Sequence, residues 1–212
     1  VQLREVGGEI LSFTCIDDDY HDWQNEHRKA ALFLCDRVIR ADVDTAPGKK
    51  MKIFSFGKDN NYKTSQVRAW LQKNSQNSSF CLEPIHTGIQ TAYTGSTAAG
   101  AFSQTSGREL VRQDIGFQFM NDQLFCLSLE EALAYREYLW RFDSGDDNPQ
   151  SQISTYSQGY YLRTPFYLQD ENGKFIYNQQ IYGVDLVNGC LRPVRTDSET
   201  YGVRPAFALS QM

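Results

Sequence analysis

The C-terminal third of the chain is a series of short aromatic segments separated by turn signals, and this pattern restricts the fold most strongly. The segments are 160–163, 166–168, 174–177, 181–186 and 203–209. Asn172-Gly173 and Asn188-Gly189 separate some of these segments, and such dipeptides are typical of hairpin turns because both residue types tolerate a left-handed backbone. The pattern therefore predicts a small antiparallel sheet in this part of the chain.

The first two thirds of the chain combine a predicted strand with predicted helices. Residues 9–16 alternate loosely and predict a strand, whereas the apolar residues of 26–40 recur at helical spacing. Ser65 is the expected N-cap of a short helix. Ser128 and Glu131 have the spacing of a capping box that opens a further helix. Helices together with an antiparallel sheet predict an α+β fold, with small antiparallel sheets flanked by helices and long loops.

Length and charge restrict the class of protein and its partners. A chain of 212 residues is long enough to bury one sizeable core, and we expect a single domain over 1–212. The net charge of −5 gives no basic face that would neutralise phosphates, so we expect no nucleic acid partner. No segment approaches the roughly 18 apolar residues that span a bilayer, so we expect no membrane insertion.

The five cysteines do not form a recognised metal or redox motif. The odd count leaves at least one thiol unpaired, and no Cys-x-x-Cys occurs. Cys15, Cys35 and Cys126 lie in apolar runs and are expected to be buried free thiols that pack as small hydrophobic groups.

The histidines and acidic residues do not predict a metal site. His21 and His27 are near the aspartates of 17–19, but their spacing matches no known zinc pattern. We interpret the aspartates as a solvated acidic turn before the helix predicted over 26–40. No phosphate-binding loop or nucleophile-elbow motif occurs, and we expect no metal, no cofactor and no catalytic site.

Four sequence elements resemble those of a bacterial domain of unknown function. They are the Ser-Gln-Val-Arg-Ala-Trp-Leu helix at 65–71, the strand-to-helix element at 122–132, the Tyr-Leu-Arg-Thr-Pro element at 161–165, and the Tyr-Gly-Val-Arg-Pro-Ala-Phe-Ala-Leu strand at 201–209. The resemblance extends over about 7–209. That domain in turn resembles the C-type-lectin-like fold, which includes the formylglycine-generating enzymes. The resemblance implies paired terminal strands, two helices flanking the sheet, and long loops that form a binding face.

The enzymatic activity of the formylglycine-generating branch is not carried over by this resemblance. Those enzymes use a pair of cysteines near the C terminus, whereas this chain has only Cys190 there. Arg163 and Arg204 lie among apolar residues of the resembling elements, and we predict that they satisfy backbone carbonyls or a buried carboxylate.

The candidate binding residues are tyrosines and polar side chains of the C-terminal third. Tyrosine gives a large contact area with little loss of rotamer freedom, and amides adapt their hydrogen bonds, so sugar and protein ligands are both compatible. Alternation along a strand predicts that one tyrosine of each adjacent pair points outward. The predicted surface contacts are Tyr160, Tyr167, Asp170, Asn172, Tyr177, Asn178 and Tyr182.

The main functional hypothesis is a non-enzymatic domain that binds a glycan or a protein. We expect it on a bacterial surface, in secretion or on a phage particle, with any targeting segment outside this sequence. The resemblance also implies a narrower possibility. Some lectin-like domains are diversified by retroelements that mutate adenines in their genes, and the C-terminal composition of this chain fits such a variable domain. Two alternatives remain: an enzyme related to the formylglycine-generating branch that uses Cys190 or Cys35, and an architectural module of a larger surface protein.

Overall fold

The computed structural model describes the greater part of the chain. The described residues are 2–4, 10–22, 25–39, 44–46, 49–50, 55–75, 85–90, 93–94, 102–103, 111–112, 117–142, 158–166, 168–169, 175–176 and 179–210. The side chains described within them are those of 11–21, 29–39, 55–75, 120–142, 158–166 and 179–209.

The described residues form seventeen strands and two α-helices. The strands are β1 (Gln2–Arg4), β2 (Ile10–Asp22), β3 (Asn25–Cys35), β4 (Asp44–Ala46), β5 (Lys49–Lys50), β6 (Ile85–Gln90), β7 (Tyr93–Thr94), β8 (Phe102–Ser103), β9 (Val111–Arg112), β10 (Phe117–Asp122), β11 (Gly159–Pro165), β12 (Leu168–Gln169), β13 (Phe175–Ile176), β14 (Gln180–Asp185), β15 (Cys190–Arg195), β16 (Tyr201–Val203) and β17 (Ala206–Ser210). The helices are α1 (Gln66–Ser75) and α2 (Leu129–Ala134), and 3₁₀ helices span Tyr62–Thr64 and Arg136–Tyr138. The predicted α+β class with small antiparallel sheets is confirmed.

The strands form two larger sheets and several two-stranded pairs. The first larger sheet has the order β1-β2-β3-β17, and the second has the order β16-β11-β14-β15-β8. In the second sheet, β11 pairs antiparallel with β14 and parallel with β16, so both β11 and β14 have strands on each side. The two-stranded pairs are β6 with β10, β12 with β13, β4 with β5, and β7 with β9.

Two hydrophobic cores lie on opposite faces of these sheets. The first core includes Leu32, Leu34, Tyr160, Leu162, Tyr182, Val184 and Ala206. The second core includes Phe13, Cys35, Phe56, Tyr161, Ile181, Val203 and Phe207. Successive residues of β3, β11, β14 and β17 alternate between the two cores, which shows that these strands are covered on both faces.

The helix predicted over 26–40 is wrong, because Asn25–Cys35 forms β3. Leu32 and Leu34 face the first core, whereas Cys35 faces the second. A strand buried on both faces has apolar residues at consecutive positions, and periodicity does not separate such a run from a buried helix. The aspartates of 17–19 accordingly lie in β2 at register shifts of its pairing with β3, and they do not precede a helix.

Both predicted helix starts are confirmed by their capping bonds. Ser65 Oγ accepts a hydrogen bond from the Arg68 backbone N–H at 3.0 Å. Ser128 and Glu131 form a complete capping box, with each side chain accepting from the other residue's backbone N–H. Among the described residues, no helix has the length and apolarity that crossing a membrane requires.

Arg163 on β11 forms a buried ion pair with Glu131 of α2. Its two terminal nitrogens donate to the two carboxylate oxygens at 2.7 Å each, and Nη1 also donates to the Cys126 carbonyl at 2.6 Å. The Tyr20 hydroxyl donates to the same carboxylate at 2.8 Å. This network joins β2, α2 and β11, and it confirms the predicted structural role of Arg163.

Arg204 links the segment before β17 to the residues that follow the 3₁₀ helix Arg136–Tyr138. Its guanidinium donates to the carbonyls of Cys35 at 2.7 Å, Leu139 at 3.0 Å and Arg141 at 2.7 Å. Its carbon also lies 4.5 Å from the centre of the Phe142 ring. The predicted role of Arg204 in satisfying backbone carbonyls is therefore confirmed, because several carbonyls find their donor in one side chain.

Candidate ligand-binding cleft

Two of the predicted surface tyrosines are buried, so their prediction as ligand contacts is wrong. Tyr160 is 1% exposed and Tyr182 is 0% exposed, and both lie in the first core. The adjacent Tyr161 is also buried, at 1%, in the second core. Alternation does send the paired tyrosines to opposite faces, but each face of the sheet is covered by a core.

The other predicted contacts lie outside the described residues. They are Tyr167, Asp170, Asn172, Tyr177 and Asn178. β12 and β13, which flank the predicted turn at Asn172-Gly173, pair antiparallel. The second predicted turn is confirmed, since Gly189 has a φ of 61° between β14 and β15.

Two glycines of the central sheet form a trough that holds the Tyr201 ring. Gly159 of β11 and Gly183 of β14 lie on the face of the second core. A Cβ atom at Gly159 would lie 2.7 Å from Tyr201 Cε1, and one at Gly183 would lie 3.3 Å from it. The ring can lie across the two strands because neither position has a side chain.

The trough directs the Tyr201 hydroxyl toward an ion pair on the neighbouring strands. Arg192 Nε lies 2.6 Å from Asp185 Oδ2, and the carboxylate is 1% exposed whereas the arginine side chain is 42% exposed. Burial acts to raise the pKa of Asp185, but hydrogen bonds from Asn188 and the charge of Arg192 outweigh it, so the pKa lies below its usual value. Burial raises the pKa of Tyr201, which therefore stays protonated at neutral pH.

The Tyr201 hydroxyl is a buried polar group beside this ion pair. Its polar neighbours are the side chains of Arg192 and Asp185, which interact with it. Buried hydroxyls in folded proteins nearly always have a partner, which is protein, water or ligand. Tyr201 also lines a cleft, and its side chain is therefore a candidate ligand contact.

One wall of the cleft is the turn at 196–200, which is held by hydrogen bonds to Tyr161 and Phe56. The Tyr161 hydroxyl lies 2.8 Å from the Ser198 carbonyl oxygen and 3.3 Å from that of Arg195. The Thr196 carbonyl accepts from the Phe56 backbone N–H at 2.7 Å. These bonds hold the wall in place without a ligand, which reduces the ordering cost of binding.

The cleft between this turn and the sheet is open and polar, with a volume of about 530 Å³. This volume lies within the usual range of small-molecule sites. Arg195 and Asp197 form a second ion pair at its rim, with contacts of 2.8 and 2.6 Å. The lining residues are Gln158, Gln180, Arg192, Pro193, Val194, Arg195, Asp197, Ser198, Thr200 and Tyr201.

Sequence reasoning identified none of these lining residues as contacts. Gln158 and Gln180 come from the starts of two strands, and Arg192 comes from a third, so only the strand register brings them together. The glycines at 159 and 183 were the available signal, because a glycine inside a strand often marks a close approach of another group.

The described cysteines differ in burial. Cys35 and Cys126 are each 0% exposed, as predicted, whereas Cys15 is exposed, so the prediction that it is buried is wrong. Burial raises the pKa of the Cys35 thiol to about 11 and that of the Cys126 thiol to about 12. Burial also raises the pKa of Cys190, which is partly exposed. Such shifts disfavour the thiolate, which is the nucleophilic form.

We expect thiol modification to separate these cysteines. In the native protein near neutral pH, Cys15 should react with iodoacetamide, and Cys35 and Cys126 should react only after unfolding. The raised pKa values also predict that the free energy of unfolding falls as pH rises from the ordinary thiol value of 9.0 through about 11, because the unfolded chain ionises first. Peptide mass spectrometry of labelled native and denatured samples measures the reactivity.

Rapid labelling of Cys35 in the folded state would contradict this placement and would favour the enzymatic alternative. Urea titrations across the same pH range supply an independent check on the stability trend.

Among the described side chains, no group of three histidine, cysteine, aspartate or glutamate residues is arranged to hold a metal ion.

The chain belongs to the family described as a domain of unknown function, DUF6273, which matches residues 32–211. This membership confirms the prediction that the sequence is a member of a domain family of unknown function. No curated protein and no solved structure matches the chain.

Proposed function

We propose that this protein is a non-enzymatic ligand-binding domain whose binding site is the cleft between the 196–200 turn and the second sheet. The carrying observation is the polar cleft of about 530 Å³, in which Arg192 and Tyr201 of the sheet lie opposite a turn that is fixed by its own hydrogen bonds. The fixed walls of the cleft support the proposal, because pre-organised polar groups bind at a smaller entropic cost. The ligand is a glycan or a protein segment.

The chemistry of the described thiols favours binding over the enzymatic alternative. Cys35 has no access to a substrate, and the raised pKa of Cys190 disfavours its thiolate. Arg192 is held by Asp185, and Arg195 by Asp197, so the charged groups of the cleft stabilise the site itself. This arrangement suits recognition by hydrogen bonds.

The C-type-lectin-like fold and a location on a cell surface, in secretion or on a phage particle belong to the same proposal. The pairing of β17 with β3 supports the fold, because it joins a late strand to an early one as the resemblance implies. Two helices accompany the sheets. The cleft takes the place of Tyr160 and Tyr182 as the proposed ligand-binding site, because both tyrosines are buried in the first core.

Removing the hydroxyls of two residues that line the cleft, Thr200 and Tyr201, should weaken binding without unfolding the protein. The wild-type domain is screened on a glycan array and against a panel of purified surface proteins, and each hit is titrated by calorimetry. The double variant Thr200→Val with Tyr201→Phe keeps both side-chain shapes. We expect it to weaken the affinity by about tenfold or more, since each lost hydrogen bond contributes about 1 kcal/mol.

The matched control is Tyr138→Phe, which removes a hydroxyl from a partly buried tyrosine whose residue does not line the cleft. It should bind as the wild type does, and circular dichroism should show that all variants stay folded. An unchanged affinity in the double variant would place the ligand elsewhere on the molecule. Absence of binding across both panels would also count against the proposal.

A further inference from the structure

We infer that the cleft selects an uncharged, polyhydroxylated ligand, a neutral saccharide, through the cluster of Asp185, Arg192 and Tyr201. This inference rests on the proposed function and specifies its ligand class. Arg192 and Tyr201 line the cleft, Asp185 pairs with Arg192, and the three residues come from β15, β16 and β14.

The charge balance of the cleft disfavours an ionic ligand. Asp185 lies 2.6 Å from Arg192, and Asp197 lies 2.6 Å from Arg195, so each guanidinium already has a carboxylate. An anion bound at either arginine would compete with this carboxylate and be repelled by it. A cation would be repelled by the two arginines. The net charge of −5 on the whole chain adds to the repulsion of anions.

The hydrogen-bonding groups of the cleft match hydroxyls. Five of the ten lining residues, two glutamines and three hydroxyl-bearing residues, have side chains that both donate and accept. A sugar hydroxyl also donates and accepts, and neighbouring hydroxyls of a ring present the two functions side by side. Arg192, whose side chain is 42% exposed, supplies further donors in a planar fork.

The apolar surface of the cleft is too small for the anchor residues of a protein partner. Pro193, Val194 and Tyr201 supply it, and Val194 and Tyr201 are only 6% and 8% exposed. Protein interfaces depend on large aromatic or aliphatic anchors in deep pockets. A small apolar contact of this kind fits the C–H face of a sugar ring instead.

The test compares neutral and charged ligands on the same protein. The ¹⁵N-labelled domain is titrated with neutral linear oligosaccharides of glucose, galactose and mannose, with the corresponding uronic acids, and with a library of neutral peptides. We expect a neutral saccharide to shift the backbone amides of 192–201, with an affinity that changes less than about twofold with ionic strength.

The variant Arg192→Lys separates hydrogen-bond recognition from charge attraction, because lysine keeps the charge but loses the fork. We expect about fivefold weaker saccharide binding in Arg192→Lys and the same loss in Tyr201→Phe, with wild-type affinity in Tyr138→Phe. Retained affinity in Arg192→Lys would overturn the inference.

The remaining outcomes distinguish this inference from the proposed function. A uronic acid that binds more than about tenfold tighter than its neutral counterpart would overturn the saccharide charge assignment but leave a ligand site. A peptide that shifts the amides of 192–201 while no saccharide does would overturn the saccharide assignment and would still show a ligand site. If no probe of any class shifts these amides, both proposals fail.

Discussion

Replacing Arg163 by methionine is expected to lower the free energy of unfolding by about 3–5 kcal/mol, the cost of leaving a buried charge without its partner. Methionine fills similar space but donates nothing. Glu131, which is 6% exposed, would keep the Ser128 backbone N–H and the Tyr20 hydroxyl but lose both arginine contacts. The Cys126 carbonyl would lose the donor at 2.6 Å. Urea unfolding followed by circular dichroism measures the change.

The matched control is Arg195→Met, which breaks an arginine–aspartate pair of similar geometry at the surface. The Arg195 and Asp197 side chains are 66% and 52% exposed, so water and salt screen their attraction and the loss should be much smaller than in Arg163→Met. Adding Glu131→Gln to Arg163→Met should recover part of the stability, because the amide carries no charge to bury. Equal losses in the two single variants would show that burial does not decide the strength of the Arg163 pair.

Local sequence signals were sufficient for the caps and turns. The Ser65 N-cap, the capping box of Ser128 and Glu131, and the turn at Gly189 each depend on a few neighbouring residues. The physical cause lies within the motif: a side chain satisfies a nearby backbone N–H, or a glycine adopts a left-handed backbone. Such features do not depend on how the rest of the chain packs.

Burial on both faces of the sheets was not predictable in the same way. The apolar run of β3 predicted a helix, and the adjacent tyrosines at 160 and 161 predicted one buried and one exposed ring. Both errors have the same cause, because alternation tells which face a side chain takes but not what covers that face. The second core, which covers Tyr161, includes residues from distant segments such as 11–13, 56–71 and 201–207.

The cleft was hidden from the sequence for a related reason. Arg192 and Asp185 become partners through the pairing of β14 with β15, and Tyr201 joins them because β16 pairs with β11. Strand order and register are properties of the whole fold. Only the bare glycines of β11 and β14 marked the place, and their importance is open to direct test.

Substituting alanine for Gly159 is expected to cost more than about 3 kcal/mol of unfolding free energy and to remove the cleft, because overpacking against backbone is not relieved by a rotamer change. The new Cβ atom would lie 2.0 Å from the Val184 carbonyl oxygen and 2.7 Å from Tyr201 Cε1. The first contact separates β11 from β14, and the second lifts the ring from its trough. Urea unfolding and loss of ligand binding measure the two effects.

Alanine variants at two other glycines allow the loss of unfolding free energy to be compared with the space available at each position. At Gly183 the closest atoms are Val194 Cγ2 at 2.9 Å and the Tyr160 carbonyl oxygen at 3.1 Å, so the side chain has some freedom to move and the loss should be about 1–3 kcal/mol. At Gly57 the nearest atom is 3.5 Å away, an ordinary contact, and the change should be within about 1 kcal/mol. If Gly159→Ala were as stable as Gly57→Ala, the Tyr201 ring would not depend on the trough, and the cleft would need another explanation. If Gly159→Ala does not fold, reduced binding by the folded Gly183→Ala variant still tests whether the trough positions the ring.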